Sequence, residues 1–408
     1  MRTVEEIAAG VRSGAIDPVD LVENALARAA DAAALNAVVH LDVDGAREAA
    51  AAHDRTGALA GVPVLVKEII EVEGLPYRCG SAAMDEVGRQ DAGVVRRLRA
   101  AGAIVIGLSH THEFAYGCTG TSNRVGPCRN PHDLTRMTGG SSSGSAAAVA
   151  AGVVPLAIGT DTAGSVRIPA ALCGVVGFKP SYGTLPTDRV FPLSQTLDHV
   201  GVLTRTAADA AYALDALSGL GSVELREPRL GVVTNPEYLQ VSPAVGGAWT
   251  AALEMFDTVE VQLPEWSRSF FTAANLQGPE AVANHRGRSH DAYQPDVQRR
   301  LREAAKVQEA DYERAKEDTP RITAEMDAVL RQVDAVLTPT VLTTAPPLTA
   351  DHGDVRKQLL NNTRLANLTR HAAVSLPIPA DGLPVGLQVI ASSNEQAAAV
   401  ACWIEAQR

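Results

Sequence analysis

The chain has 408 residues, of which 46% are hydrophobic and 20% charged, with 34 glycines and 23 prolines; this globular composition, free of long biased tracts, excludes a disordered or fibrous protein. A formal net charge of −11, with Lys and Arg scattered along the chain, argues against a nucleic-acid or anionic-membrane surface, because phosphate binding needs clustered cations. Five cysteines (Cys79, Cys118, Cys128, Cys173, Cys402) form no C-x-x-C pair and no even set, so a disulfide framework is not expected and a reducing cytoplasm fits.

The N-terminus, "MRTVEEIAAGVRSGA", is amphipathic rather than leader-like, and no uncharged run of about 18 residues has membrane-like density. Residues 1–60 read as a helical lead-in: Thr3 with Glu6 makes a capping box, and Asp17 before Pro18 places an N-cap ahead of an N1 proline. "GVPVLVKE" (61–68) and "GAIVIGLS" (102–109) are short β-branched runs, and "DAGVVRRLRAAG" between them is a helix ended by Gly102. That alternation predicts an α/β sheet with ligands at strand ends. Next comes "TGGSSSGSAAAVAAG" (138–152), which runs into one of the most apolar parts of the chain and so does not behave as a linker. It also lacks the spacing of a phosphate cradle, which leaves a structural turn or a catalytic loop on a buried helix followed by a strand. A second small-residue turn, "GTDTAGSVRIP", carries Ser165. Further on, "QRRLREAAKVQEADYERAKE" is a charged helical block, "VDAVLTPTVLTTAPPL" a buried strand entering a Pro/Thr loop, and "LPVGLQVIA" a final strand. No repeat or linker divides residues 61–408.

A serine hydroxyl needs a neighbour to take its proton. Of the ten histidines, none lies in or beside the two glycine-serine loops. A desolvated lysine is the alternative base, since burial disfavours its charged form. Lys67 follows the apolar "GVPVLV" and fits that role; the competing reading is that it snorkels out or pairs with Glu68. The small residues around Ser165 suit backbone N–H groups aimed at one oxyanion, or simply an ordinary strand-to-helix turn.

Together these stretches resemble the amidase signature family. Its G-G-S-S-[GS]-G-S pattern stands as Gly139 to Ser145, its nucleophile motif as "TDTAGSVR", and its base motif as "GVPVLVKE"; "RNPHDLTR", "CGVVGFKPSYG", "LDHVGVLTR", "VDAVLTPT" and "LPVGLQVIA" extend the resemblance along nearly the whole chain. It implies a single large domain with a mixed, mostly parallel sheet covered by helices, in which residues 61–408 are catalytic and 189–347 form a variable region that shapes the substrate pocket. It also implies Ser165 as nucleophile, Ser141 as the cis-serine and Lys67 as base, with the backbone N–H groups of Thr162, Ala163, Gly164 and Ser165 as oxyanion hole. Ser142 and Asp161 would hold the loops, and Arg167 would pair with Asp161 structurally. The expected reaction is hydrolysis of a small-molecule carboxamide through an acyl-enzyme, with no cofactor or metal, in an enzyme that resembles homodimeric relatives. Phe114, Tyr116, Tyr182, Phe191 and Leu193 are the expected pocket walls. Three departures leave the triad intact: Glu68 replaces the usual Asp, Ala163 a glycine and Ser143 a glycine.

Four rival readings compete with this one. "GLSHTHEF" offers His110 and His112 in the His-x-His pattern that opens a metal-dependent amidohydrolase site, although the later histidines lie in segments that do not read as strand ends. The family also includes the glutaminase component of a tRNA-dependent amidotransferase, where a glutamine usually follows the loop arginine; Ile168 stands there and favours a stand-alone amidase. Allophanate hydrolases share "TDTAGS" but usually carry an extra C-terminal domain, whereas this sequence stops soon after "GLQVIA". A catalytically dead binding protein is disfavoured by the intact triad positions.

Overall fold

Local sequence rules set the first elements of the computed structural model, which describes residues 2–221 and 226–407. Thr3 Oγ1 accepts from the Glu6 N–H at 3.1 Å and the Glu6 carboxylate accepts from the Thr3 N–H at 2.9 Å, closing the capping box of the helix Val4–Arg12. Asp17 caps the helix Pro18–Asp31 through the Val19 N–H at 2.9 Å. The expectation of a purely helical lead-in is corrected at Val38–Leu41, which is a strand (β1) at the sheet edge. "VVHL" is too short to declare its period, and its pairing with a distant strand decides the matter.

Ten further strands complete the sheet: β2 Pro63–Lys67, β3 Ile104–Ser109, β4 Leu156–Asp161, β5 Val176–Lys179, β6 His199–Thr204, β7 Leu230–Val233, β8 Thr258–Val261, β9 Ala335–Pro339, β10 Ala372–Ile378 and β11 Val385–Ala391. Their order is β1-β3-β2-β4-β6-β5-β10-β11-β9-β7-β8, an 11-stranded mixed sheet flanked by helices in a single α/β domain. Parallel pairing occurs at β3-β2-β4 and at β9-β7-β8; the centre, from β4 to β9, is antiparallel. The strands at the centre are buried throughout, which is why they read as continuous apolar runs rather than alternating ones.

The helix Ser143–Ala150 is buried along nearly its whole length, and its small residues allow it to lie against the sheet. A Cβ on Gly144 would stand 2.1 Å from the Ala37 carbonyl oxygen and 2.3 Å from the His110 nitrogen, so glycine is required by close approach. The charged block resolves into two helices, Pro295–Ala304 and Glu309–Leu330, separated at Gln308, whose extended backbone starts the second. Among the described residues no helix is long and apolar enough to cross a membrane. Residues 222–225, within the variable region expected to shape the pocket, lie outside the described residues, as do Met1 and Arg408.

Candidate active site

Two parallel neighbours, β2 and β4, end side by side and deliver Lys67 and Thr160 to one point. Lys67 is fully buried, and its Nζ lies 2.7 Å from Ser141 Oγ and 2.8 Å from Thr160 Oγ1. Burial pulls its ammonium down to about 7, against the opposing pull of Asp161, Asp198 and Glu68. The competing reading of Lys67 fails on geometry: the side chain does not snorkel, and Glu68 Oε1 instead accepts from Asn123 Nδ2 at 2.6 Å and from the Thr111 N–H at 3.3 Å. At neutral pH this lysine is divided between its two forms. Its neutral form keeps N–H donors for Thr160 and a lone pair for the Ser141 proton.

The peptide bond Gly140–Ser141 is cis. Ser141 is held by its carbonyl, which accepts from the His112 N–H at 3.0 Å, and the next residue joins the two loops, the Ser142 N–H donating to the Ser165 carbonyl at 3.1 Å. Ser142 Oγ also donates to the Thr160 carbonyl and accepts from the Thr160 N–H, both at 3.1 Å, tying the helix start to β4. Ser165 follows β4 in the turn before the helix Arg167–Cys173 and is 7% exposed.

Asp161 organises that turn. Its carboxylate accepts from the Gly164 N–H at 2.7 Å, the Val166 N–H at 3.1 Å, and Arg167 Nε and Nη2 at 3.0 and 2.9 Å. Burial alone would raise its pKa, but the Arg167 guanidinium, Lys179 and the Asn367 amide together outweigh burial and hold the carboxyl well below the usual range. One expected role is corrected here. The Gly164 N–H is committed to Asp161 and is not available to an oxyanion, which leaves the N–H groups of Thr162, Ala163 and Ser165 as candidates. Gly164 is required for another reason: its φ is +126°, and a Cβ there would lie 2.3 Å from Thr363 Oγ1. Thr162 is fixed from the side, its Oγ1 donating to Asp198 Oδ1 at 2.6 Å; burial raises the Asp198 carboxyl to about 7.

The cleft over these loops has two parts that share Ala115, Thr162 and Leu193. One is a cavity of about 310 Å³ reaching Thr160 and Asp198, with Tyr182, Phe191 and Leu193 in its wall. The other is a slot of about 20 Å³, where Ser165 meets Tyr116, Leu193, Arg300 and Arg356. Four of the five expected wall residues therefore face the cleft. Phe114 does not; its ring is fully buried against Phe191, His285 and Tyr293 at centroid distances of 4.9, 4.8 and 4.7 Å, a layer behind the wall. Arg356 also lies beyond the 189–347 region expected to shape the pocket.

His110 and His112 serve the scaffold. His110 Nδ1 is 2.8 Å from Ser143 Oγ and its Nε2 2.9 Å from the Gly126 carbonyl, and burial lowers its pKa to about 4. His112 Nε2 meets Asp296 Oδ2 at 3.0 Å and its Nδ1 meets Thr119 Oγ1 at 3.4 Å. Among the described residues no three His, Cys, Asp or Glu side chains gather where they could hold a metal. Sequence reasoning missed Thr160, Asp198, Arg300 and Arg356. Thr160 opens "TDTAGSVR" and Asp198 lies in "LDHVGVLTR", so both stood inside recognised motifs without being singled out; the two arginines carried no such signal.

The geometry thus sets a buried lysine, hydrogen-bonded to Ser141 at the ends of two parallel strands, beside Ser165 on its glycine turn. The amidase family profile matches residues 20–399, and the chain belongs to that family, whose members are hydrolases acting on C–N amide bonds. It is 33% identical to a glutamyl-tRNA(Gln) amidotransferase subunit from Acidothermus cellulolyticus, over 96% of this chain and 90% of that one. It is 36% identical to the 2-amino-5-chloromuconic acid deaminase of Comamonas testosteroni, over 89% and 86%. A crystal structure of an amidase superposes with a TM-score of 0.93 at 34% identity, covering 100% of both chains.

Proposed function

We propose that the protein is a stand-alone amidase that hydrolyses a small-molecule carboxamide through a seryl acyl-enzyme. The observation that carries this reading is the fully buried Lys67, its pKa lowered to about 7, at 2.7 Å from Ser141 Oγ. In this mechanism neutral Lys67 takes the Ser141 proton as Ser141 takes that of Ser165, and Ser165 Oγ attacks the amide carbon. The backbone N–H groups of Thr162, Ala163 and Ser165 stabilise the oxyanion. Ser141 then protonates the departing nitrogen from the Lys67 side, and water reverses the sequence to release the carboxylate. Ser142, Asp161 and Arg167 position the loops. A fluorophosphonate probe followed by peptide mapping tests the assignment: the label belongs on Ser165, and a label on Ser142 or Ser145 with Ser165 unmodified would overturn it.

The second reading, the glutaminase component of a tRNA-dependent amidotransferase, draws on the similarity to the Acidothermus cellulolyticus protein. Ile168, buried after the loop arginine, and the comparable similarity to a small-molecule deaminase support the stand-alone enzyme. The purified chain alone is expected to release ammonia from carboxamides. Cleavage of glutamine only, and only with an added partner protein, would favour the amidotransferase.

A further inference from the structure

The turn that carries the oxyanion donors is held along its length by different partners at different points. Asp161 takes the Gly164 and Val166 N–H groups, Thr363 Oγ1 donates to the Ala163 carbonyl at 2.5 Å, and the Ser142 N–H holds the Ser165 carbonyl at 3.1 Å. Thr162 is gripped instead through its side chain, from the neighbouring strand. β6 pairs antiparallel with β4 and sets His199 opposite Asp161, so Asp198 and Thr162 are the next facing pair, just beyond the end of the ladder. Their side chains meet there, Thr162 Oγ1 donating to Asp198 Oδ1 at 2.6 Å. The other oxygen, Oδ2, accepts from the Leu193 N–H at 2.9 Å and the Ser194 N–H at 3.0 Å. Leu193 is a wall of both parts of the cleft, and Asp198 itself lines the larger cavity. From the far side Glu280, on the helix Trp266–Asn284, accepts from Ser194 Oγ at 2.6 Å and Thr196 Oγ1 at 2.8 Å, so residues 193–198 are tied at both ends. One carboxyl group thus joins the loop that walls the cavity to the turn that carries Ser165.

We propose that Asp198 is a positioning residue for the reaction: through Thr162 it aims one backbone N–H at the oxyanion, and through Leu193 it sets the cavity wall at a fixed distance from that donor. This rests on the reading that Ser165 is the reacting centre. Threonine is β-branched and stiff about χ1, so pinning Oγ1 also restricts the main chain of Thr162, its N–H included. An oxyanion donor acts only where the charged oxygen forms, and a displacement of about 1 Å can cost ~10²-fold in rate. The Asp198–Thr162 bond therefore belongs to the transition state, and its loss lowers kcat while leaving substrate binding almost unchanged. Two other roles for Asp198 predict different results. A direct substrate ligand would raise KM on its removal and be indifferent to the Thr162 hydroxyl, and a purely structural group would lower stability without changing the rate of the folded enzyme.

Two readouts on the full-length protein test this: kcat and KM for ammonia release from acetamide, butyramide and benzamide, and the second-order rate at which a fluorophosphonate labels Ser165, since its phosphoryl oxygen takes the place of the oxyanion. Thr162→Val keeps the shape and removes the hydroxyl; kcat and the labelling rate should fall ~10- to 100-fold with KM within ~3-fold of the wild type. Thr162→Ser keeps the hydroxyl and should hold both rates within ~3-fold. In an Asp198→Ala background the bond is already gone, so adding Thr162→Val should cost less than ~3-fold more. If circular dichroism shows Asp198→Ala to be misfolded, the contrast between Thr162→Val and Thr162→Ser decides. If none of the three amides is a substrate, the labelling rates decide. Unchanged rates in Thr162→Val, an equal loss in Thr162→Ser, a loss confined to KM, or a full Thr162→Val penalty in the absence of Asp198 overturns the proposal and leaves the amidase reading standing. A wild type that releases no ammonia and takes no label overturns the amidase reading and the proposal with it.

Discussion

Two buried arginine environments lie within this one site, and they differ in how completely their charge is met. Each of the five N–H donors of Arg167 has an acceptor: Nε and Nη2 reach Asp161, Nη2 also Asn367 Oδ1 at 2.6 Å, and Nη1 the Thr363 carbonyl at 2.9 Å and Gln388 Oε1 at 2.6 Å. Such a group has nothing left to offer a ligand. Its work is to fix the turn that carries Ser165. Arg300 and Arg356 keep buried Nε groups without hydrogen-bond partners among the described residues, in the slot that Ser165 also lines. A buried charge that is fully paired is scaffold, whereas these two guanidiniums keep a donor unmet among the described residues.

The largest effect should come from the chemistry that the paired region supports. Ser165→Ala is expected to lower kcat by up to about six decades, measured as ammonia or amine release. Lys67→Arg comes next. Arginine keeps the charge but does not deprotonate, so kcat/KM should fall by ~10²- to 10⁴-fold, about as far as in Lys67→Ala. Near-normal rates for Lys67→Arg would remove lysine as the base. Arg167→Leu strands the Asp161 carboxylate in the interior and should cost about 3–5 kcal/mol of stability in urea unfolding. A loss below about 1 kcal/mol would break the contrast between the two arginine settings.

The pH profile sharpens the same picture. Folding lowers the Lys67 pKa from 10.5 to about 7, so the form able to accept a proton predominates above that pH. The kcat/KM of the wild type should therefore fall roughly tenfold per pH unit below about 7, a limb that Lys67→Ala should lose or displace. The smallest effect is expected for the stability of Arg356→Gln. Because this change relieves repulsion with Arg300 and Arg364 and breaks no hydrogen bond from Nε, stability in urea unfolding should change by less than about 1 kcal/mol.

How much was legible in advance depended on whether the information was local. The capping box at Thr3, the strands around Lys67 and Ile104, and the glycine-serine loops were readable because caps, β-branched runs and small-residue turns act over a few neighbouring residues. By itself the sequence determined the α/β class, the family and the identity of Lys67, Ser141 and Ser165 as the residues to examine. The tertiary structure decided what lies between distant segments. It put Thr160 on Lys67, committed the Gly164 N–H to Asp161, withdrew Phe114 behind the wall, and turned "VVHL" into an edge strand. It also brought Arg300 and Arg356 to the mouth of the site. In the sequence each arginine reads as one more charge on a solvated helix face, because nothing local distinguishes a guanidinium bathed in water from one whose water has been replaced by protein; burial and pairing are properties of the packed chain.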